Sequence, residues 1–101
     1  MRRTSTSDTV GRYEIVRAVK AASGVRGPVV EDILEHVLSF ISSSLASGQR
    51  VELRRFGILK PVVRPAKQMH NPLVPGARMD VPARVVVRFT AGTDLRRQLN
   101  S

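Results

Sequence analysis

The chain has 101 residues, enough for one small domain, and its 17 Lys and Arg residues against 8 Asp and Glu residues give a net charge of +9. This excess of positive charge favours a polyanionic partner. Cysteine is absent, which excludes a disulfide framework, a thiolate nucleophile and a cysteine-ligated zinc site, and which suits a reducing cytoplasm.

The positive charge is concentrated in the second half of the chain. Residues 1–49 hold six basic and five acidic residues, a net charge of +1, whereas residues 50–101 hold eleven basic and three acidic residues, a net charge of +8. We therefore expect the second half to build the binding surface.

The N-terminal segment is polar and rich in Ser and Thr, and it lacks the apolar core of a signal peptide. We predict a flexible tail over residues 1–12. No later apolar run approaches membrane-spanning length, so neither secretion nor a membrane partner is expected.

Two helices are predicted in the first half. Apolar residues recur at helical spacing from Tyr13 to Ser23, and Gly24 then ends a short amphipathic helix. A longer helix begins near Pro28 and ends before Gly48. Its apolar stripe is too wide for the short helix to cover, so we expect a second subunit, identical or paralogous, to cover it. The stripe consists of Val30, Ile33, Leu34, Val37, Leu38, Ile41 and Leu45.

In the second half the apolar period changes to two. Val51 and Leu53 alternate with charged residues, and Phe56 and Gly57 mark a turn before a second strand. The alternation returns at residues 85–89 as a third strand, and a short helix closes the chain. The predicted fold is α+β, with a three-stranded antiparallel sheet.

Between the second and third strands, residues 61–84 carry five of the six prolines. Because proline lacks a backbone N–H, this segment is not expected to form a central strand. A loop of this length is typical of a functional or disordered segment. We predict a protruding two-stranded ribbon with Asn71 and Pro72 at its tip, mobile until it meets a partner, since isolated ribbons are only marginally stable in water.

The order of these elements and a series of short motifs resemble the HU and integration host factor family. The motifs are Ala18-Val19, Ser23-Gly24, Val30-Glu31-Asp32, Leu34-Glu35-His36, Gly48-Gln49-Arg50-Val51-Glu52-Leu53-Arg54, Phe56-Gly57, Arg64, Asn71-Pro72, Val81-Pro82, Phe89, Gly92 and Leu95. The resemblance implies a single domain over residues 13–101 and an intertwined dimer with a helical body and one β-ribbon arm per subunit, the arm at about 61–84. It also implies binding to double-stranded DNA in the minor groove, bending of the duplex, and a nucleoid-associated protein of the cytoplasm.

The resemblance assigns DNA-binding roles to eleven positions. Pro72 is the wedge that enters between base pairs, with Asn71 and His70 beside it at the tip. The cations that line the arm are Arg64, Lys67 and Arg78, and the phosphate contacts on the sheet or the base of the arm are Arg54, Arg55, Lys60, Arg84 and Arg88. No catalytic residue, metal, cofactor or small-molecule substrate is expected.

Several positions depart from the family pattern. His70 stands where the family usually has Arg, and Arg55 stands where it usually has Gly. Thr90 and Thr93 replace two lysines, which removes two phosphate contacts. These departures keep a second hypothesis open, in which a dimer of the same fold uses its arms to bind RNA or a protein.

Two other side-chain pairs have alternative readings. Asp32 and His36, four residues apart on one helix, form either an ion pair or part of a metal site, and the ion pair is favoured because no third ligand is evident. Phe56 and Phe89 either stack on bases or pack in the core, and their positions in turn and strand favour packing. An enzyme is not expected, because the chain has no cysteine, two separated histidines and no Gly-rich phosphate loop.

Overall fold

The computed structural model describes residues 8–101, and within this range the chain forms three helices and five strands. In chain order these are α1 (Arg12–Ser23), α2 (Gly27–Ala46), β1 (Val51–Leu53), β2 (Gly57–Arg64), β3 (Lys67–His70), β4 (Arg78–Val81), β5 (Arg84–Ala91) and α3 (Thr93–Leu99). This is the α+β order that the sequence predicts. Of the tail predicted over residues 1–12, residues 1–7 lie outside the described part, and Arg12 belongs to α1.

Local signals define both ends of α1. At its start the Glu14 carboxylate accepts a hydrogen bond from the Gly11 backbone N–H at 2.9 Å, which satisfies a free donor of the first turn. At its end Gly24 has a φ of 76° and its N–H donates to the Lys20 carbonyl at 2.9 Å. Because glycine enters this left-handed region without a steric penalty, Gly24 ends the helix where the sequence predicts.

The chain forms two compact units, one that ends at Phe40 and one that starts at Ile41. In the first unit α1 and the first part of α2 leave an apolar groove of about 270 Å³. Among residues 8–101, Val30 is the only buried hydrophobic residue, with 6% of its surface exposed. Ile33 and Val37 of the predicted apolar stripe remain 55% and 47% exposed in the single chain. No helix within the described residues combines the length and the hydropathy needed to cross a bilayer.

The second unit contains a three-stranded antiparallel sheet in the order β1-β2-β5. The pairing of β1 with β2 ends at Val51 opposite Leu59, whereas β2 and β5 remain paired as far as Arg64 opposite Arg84. From Lys60 to Arg64 the sheet therefore consists of β2 and β5 alone. The prediction of one domain over residues 13–101 remains a prediction.

One sequence-based expectation about the proline-rich segment is wrong. Pro61 lies within β2, the central strand of the sheet, opposite Val87. The proline is tolerated because β1 pairs with β2 only as far as Leu59, so that β2 has a single neighbour at Pro61 and needs no second ladder donor there. Residues 61–64 and Arg84 thus belong to the three-stranded sheet.

The predicted ribbon is present, with narrower bounds than 61–84. Strands β3 and β4 form a separate antiparallel two-stranded sheet that runs from Lys67 opposite Val81 to His70 opposite Arg78. The turn between them, residues 71–77, forms the tip.

The first residue of β2 leaves no room for a side chain. A Cβ atom on Gly57 would lie 2.5 Å from the Thr90 carbonyl oxygen and 2.7 Å from the Phe89 ring. The Phe89 ring also packs against Phe56, with 5.3 Å between the ring centroids. The two rings contact each other as the packing interpretation predicts, although each keeps nearly half of its surface exposed in the single chain.

Candidate nucleic-acid interface

Strand pairing places four of the predicted site residues on one face of the sheet. Lys60 lies opposite Arg88, and Arg64 lies opposite Arg84. Residues directly opposite each other share a face, as do residues an even number of positions apart along one strand. All four side chains are exposed. We call these four residues the cationic face; Arg64, which the sequence assigns to the arm, belongs to it through β2.

Within the part of the chain that the structure describes, the cationic face has no acidic partner of its own. Among residues 8–101, none of its four cations has a carboxylate oxygen within 4 Å. Glu52 reaches the same face because it pairs with Ile58, but Arg50 binds its carboxylate at 3.3 Å. Like charges directly opposite each other destabilise a sheet. An anion that lies over the cationic face would relieve this repulsion.

The predicted cations of the arm do not lie together. His70 is opposite Arg78 on one face of the ribbon, whereas Lys67 is opposite Val81 on the other. The face with Lys67 is otherwise apolar, because Met69 lies opposite Met79 there. The other face also carries the acidic residue of the ribbon, Asp80, whose carboxylate accepts a hydrogen bond from the Gln68 side-chain amide at 3.2 Å.

The tip of the ribbon consists of two consecutive turns. In the first, the Val74 N–H donates to the Asn71 carbonyl at 3.3 Å, which places Pro72 second and Leu73 third in the four-residue turn. In the second, the Ala77 N–H donates to the Val74 carbonyl at 3.1 Å. Its third residue is Gly76, with a φ of 83°, the left-handed conformation that a type II turn requires.

Asn71 stabilises the tip through hydrogen bonds of its side chain and its backbone. Its side-chain oxygen accepts a hydrogen bond from the Leu73 N–H at 2.9 Å, and its own backbone N–H donates to the Ala77 carbonyl at 3.0 Å. The asparagine thus holds the first turn and closes the base of the tip. Pro72, the predicted wedge, is exposed at this corner.

Arg54 and Arg55 lie in the turn between β1 and β2, away from the four positions of the cationic face. The turn closes where the Phe56 N–H donates to the Leu53 carbonyl at 2.9 Å. Arg55 has a φ of 70°, a conformation that favours glycine. This agrees with the sequence pattern, in which Arg55 stands where the family usually has Gly. Its guanidinium lies 3.9 Å from the Asp94 carboxylate, so Arg55 already has a weak partner.

Asp32 and His36 form a contact that is separate from these cations. It lies in the unit that ends at Phe40, which we call the helical unit because it contains α1 and the first part of α2. The Nδ1 atom of His36 lies 2.8 Å from the Asp32 carbonyl oxygen and 3.7 Å from its carboxylate. The hydrogen bond to the carbonyl, assisted by the carboxylate charge, raises the pKa of His36 above its ordinary value. This is the ion pair that the sequence favours; no group of three potential metal ligands occurs among residues 8–101.

The chain matches the model of a family described as bacterial DNA-binding protein over residues 10–100. The chain belongs to this family. It is 36% identical over 90 residues to the DNA-binding protein HU of Caulobacter vibrioides strain NA1000, covering 89% of this chain and 97% of the relative. It is 39% identical over 72 residues to the integration host factor subunit beta of Halorhodospira halophila, covering 71% of this chain and 70% of the relative.

Solved structures of this bacterial DNA-binding family have the same fold. A cocrystal structure of Anabaena HU with DNA has a TM-score of 0.83 and 29% identity, covering 89% of this chain and 97% of that one. HU from Thermotoga maritima, at 19% identity and a TM-score of 0.62, covers 89% of this chain and 98% of that one and supports the fold alone. The resemblance and the α+β fold are confirmed. The family consists of non-enzymatic DNA-binding proteins, which confirms the prediction that the chain is not an enzyme.

Sequence reasoning missed two features of the interface in this family member. It did not foresee that Lys60 and Arg88 lie opposite each other, because the register of a strand pair depends on distant residues. Sequence reasoning also assigned no role to Leu73 and Val74, which are 87% and 51% exposed at the tip. The signal was available, since the four residues from Pro72 to Pro75 form an uninterrupted apolar run at the predicted tip.

Proposed function

We propose that this protein is an architectural DNA-binding protein that acts as a dimer, grips duplex DNA through the minor groove and bends it by inserting Pro72 between base pairs. The observation that carries the proposal is the cationic face. Its four exposed cations form two like-charge pairs, Lys60 with Arg88 and Arg64 with Arg84, that no carboxylate of residues 8–101 neutralises. Membership of the bacterial DNA-binding family supports the same conclusion.

The energetics of the cationic face favour a nucleic acid backbone as its partner. Repulsion within each pair is a cost of the free protein, and phosphates placed over the face remove it. Each neutralised phosphate also releases counterions from DNA, so that affinity falls as salt rises. If the dimer neutralises about six to ten phosphates, raising the salt from about 50 to 200 mM is expected to weaken binding by on the order of a thousandfold or more.

The exposed apolar residues of the helical unit support the proposal of a dimer. Apart from Ser23, the groove between α1 and α2 is lined by apolar residues, and two of these, Ile33 and Val37, remain about half exposed in the single chain. Burying apolar area stabilises a protein by roughly 25 cal/mol per Å², so a second subunit, identical or paralogous, gains free energy by covering this stripe. The Halorhodospira relative is named as a subunit, in keeping with such an assembly.

The geometry of the tip suits Pro72 as the wedge. A proline ring is rigid and carries no N–H, so it replaces a stacking partner at little conformational cost. Unstacking a base step costs about a few kcal/mol, which additional phosphate contacts along the bent duplex can offset. We assign these contacts to the cationic face and to Lys67, Arg78 and His70 of the ribbon.

The remaining predicted contacts lie in the β1–β2 turn. Arg54 is exposed there and available to a phosphate. Arg55 contacts a phosphate only if it breaks its ion pair with Asp94. This costs little free energy, because the pair is exposed. The cocrystal of Anabaena HU with DNA supports DNA as the partner. We accordingly place the protein on the nucleoid in the cytoplasm.

A second candidate keeps the dimer but gives the arms an RNA or a protein as partner. The observation in its favour is Thr90, which shares a face with Arg88 at a position where the family usually has lysine. This candidate and the first make different predictions for duplex bending.

The deciding experiment is a gel-shift and FRET bending assay with the purified chain and end-labelled duplexes of about 35 base pairs, which are short against the persistence length of DNA. Salt-sensitive binding and a shortened end-to-end distance are expected. The double variant Lys60→Gln/Arg88→Gln should bind more weakly, whereas Lys20→Gln/Arg26→Gln, which removes the same charge from the helical unit, should bind nearly as well as the unmodified chain. Equal losses in both variants, or tight binding to RNA alone, would contradict the proposal.

A further inference from the structure

We propose that Leu73 is a second wedge, which enters the kinked base step together with Pro72. This inference rests on the proposed function, because it assumes that the ribbon tip engages DNA. The two residues occupy the two central positions of the first tip turn and are therefore neighbours at its corner. Leu73 is 87% exposed, more than any other large apolar residue between residues 8 and 101.

The exposed apolar residues of the tip favour an apolar partner. From Pro72 to Pro75 four consecutive apolar residues are exposed. The two prolines are common at the second position of a turn, but a turn that only faces water typically has Asn, Asp, Ser or Gly where this tip has Leu73 and Val74. A run of this kind at the surface is unfavourable unless it has a function. Leucine is one of the side chains that proteins insert between base steps from the minor groove.

The tip holds Leu73 in position before any partner arrives. The Leu73 N–H donates to the Asn71 side-chain oxygen at 2.9 Å, and the Val74 N–H donates to the Asn71 carbonyl at 3.3 Å. The backbone around Leu73 thus needs little ordering on insertion. Because the Leu73 N–H already has a partner within the protein, it also loses no water-mediated hydrogen bond when the side chain enters an apolar step.

The charges of the ribbon identify the apolar partner as the interior of a DNA duplex. Lys67 and Arg78 are exposed on the two faces of the ribbon that carries the tip. Its acidic residue, Asp80, is hydrogen-bonded to Gln68. An apolar corner on a cationic ribbon, whose strands follow β2 and precede β5 in the chain, matches stacked bases flanked by phosphates.

Two adjacent wedges have a consequence for site preference. A wider insertion requires more unstacking than proline alone, so the chain is expected to prefer the most deformable base steps. These are the pyrimidine–purine steps TA and CA/TG. Leu73 therefore acts as a determinant of where the duplex is kinked.

The test uses the full chain and duplexes with 2-aminopurine at a central TA step, whose fluorescence rises when the base unstacks, together with FRET between the duplex ends. Leu73→Gln is expected to reduce both the bend and the fluorescence rise and to weaken binding about tenfold, the scale of losing the burial of one leucine. Leu73→Met, which restores an apolar side chain, should keep both signals. Leu99→Gln is the matched control, because Leu99 is also exposed, at 70%, but lies in α3.

The outcomes separate this inference from the proposed function. If the unmodified chain bends DNA and Pro72→Ala reduces the bend while Leu73→Gln leaves bend, fluorescence and affinity unchanged, Leu73 is not a wedge and the proposed function stands. If the unmodified chain neither binds nor bends duplexes, both fail. Binding to phosphatidylserine vesicles that is lost in Leu73→Gln without any loss of DNA bending would also overturn the inference.

Discussion

Lys60 and Arg88 lie directly opposite each other on β2 and β5, and among residues 8–101 neither has a carboxylate within ion-pair distance. A sheet selected for stability alone would place opposite charges at such a pair. The pair therefore opposes stability and favours binding of an anion. The two properties should separate when one of its charges is reversed.

Arg88→Glu is expected to stabilise the protein and to weaken DNA binding. The substitution replaces a repulsive pair by an attractive one, which should raise the free energy of unfolding by roughly 0.5–1 kcal/mol. Urea unfolding measures this gain, and a gel shift measures the loss of affinity. Arg88→Gln, which removes the repulsion without creating a new attraction, should lie between the two in both assays. A stability below that of the unmodified chain would contradict the argument.

Arg55→Gly is expected to stabilise the β1–β2 turn. Arg55 holds a φ of 70°, where a side chain costs about 1 kcal/mol and glycine costs little. The loss of its exposed contact with Asp94 offsets only a small part of this gain. We expect the free energy of unfolding to rise by about 0.5–1 kcal/mol. Arg54→Gly is the control, because Arg54 has a negative φ and gains nothing from glycine there.

Gly57→Ala is expected to destabilise the sheet. The added methyl group would lie 2.5 Å from the Thr90 carbonyl oxygen, a backbone atom that moves only if β5 moves. Overpacking of this kind typically costs about 1–3 kcal/mol, which thermal or urea unfolding would detect. Gly11→Ala should cost less, because its Cβ would meet only the flexible Glu14 side chain, at 3.2 Å. An equal cost at the two positions would show that the close approach at Gly57 is not responsible.

The pKa of His36 is expected to lie above its ordinary value, because its ring contacts the Asp32 carbonyl and carboxylate. A raised pKa in the folded state means that this contact adds stability at pH values below the unfolded pKa and that the gain is lost as the pH rises through the folded pKa. NMR titration of the His36 ring measures the shift. In Asp32→Asn the pKa should fall but stay raised, since the carbonyl contact remains. A pKa at or below the ordinary histidine value in the unmodified chain would disprove the contact.

What the sequence could predict depended on how local the signal was. The end of α1 at Gly24 and the tip at Asn71-Pro72 follow from a few neighbouring residues, and both were predicted correctly. The position of Pro61 within β2 was not, because it depends on where β1 ends, a fact of the sheet as a whole. The opposition of Lys60 and Arg88 likewise needed the register, which only the folded sheet supplies.

Pro72→Ala is expected to reduce DNA bending more than DNA binding. Alanine keeps the turn but offers a smaller surface to the unstacked base, so the kink loses its wedge while the phosphate contacts of the cationic face persist. FRET on end-labelled duplexes measures the bend, and a gel shift at the same salt concentration measures the affinity. Pro75→Ala is a matched control, because Pro75 lies in the second tip turn, beyond the corner formed by Pro72 and Leu73. An unchanged bend angle in Pro72→Ala would remove Pro72 from the wedge role, and equal effects of the two substitutions would place the kink in the tip as a whole.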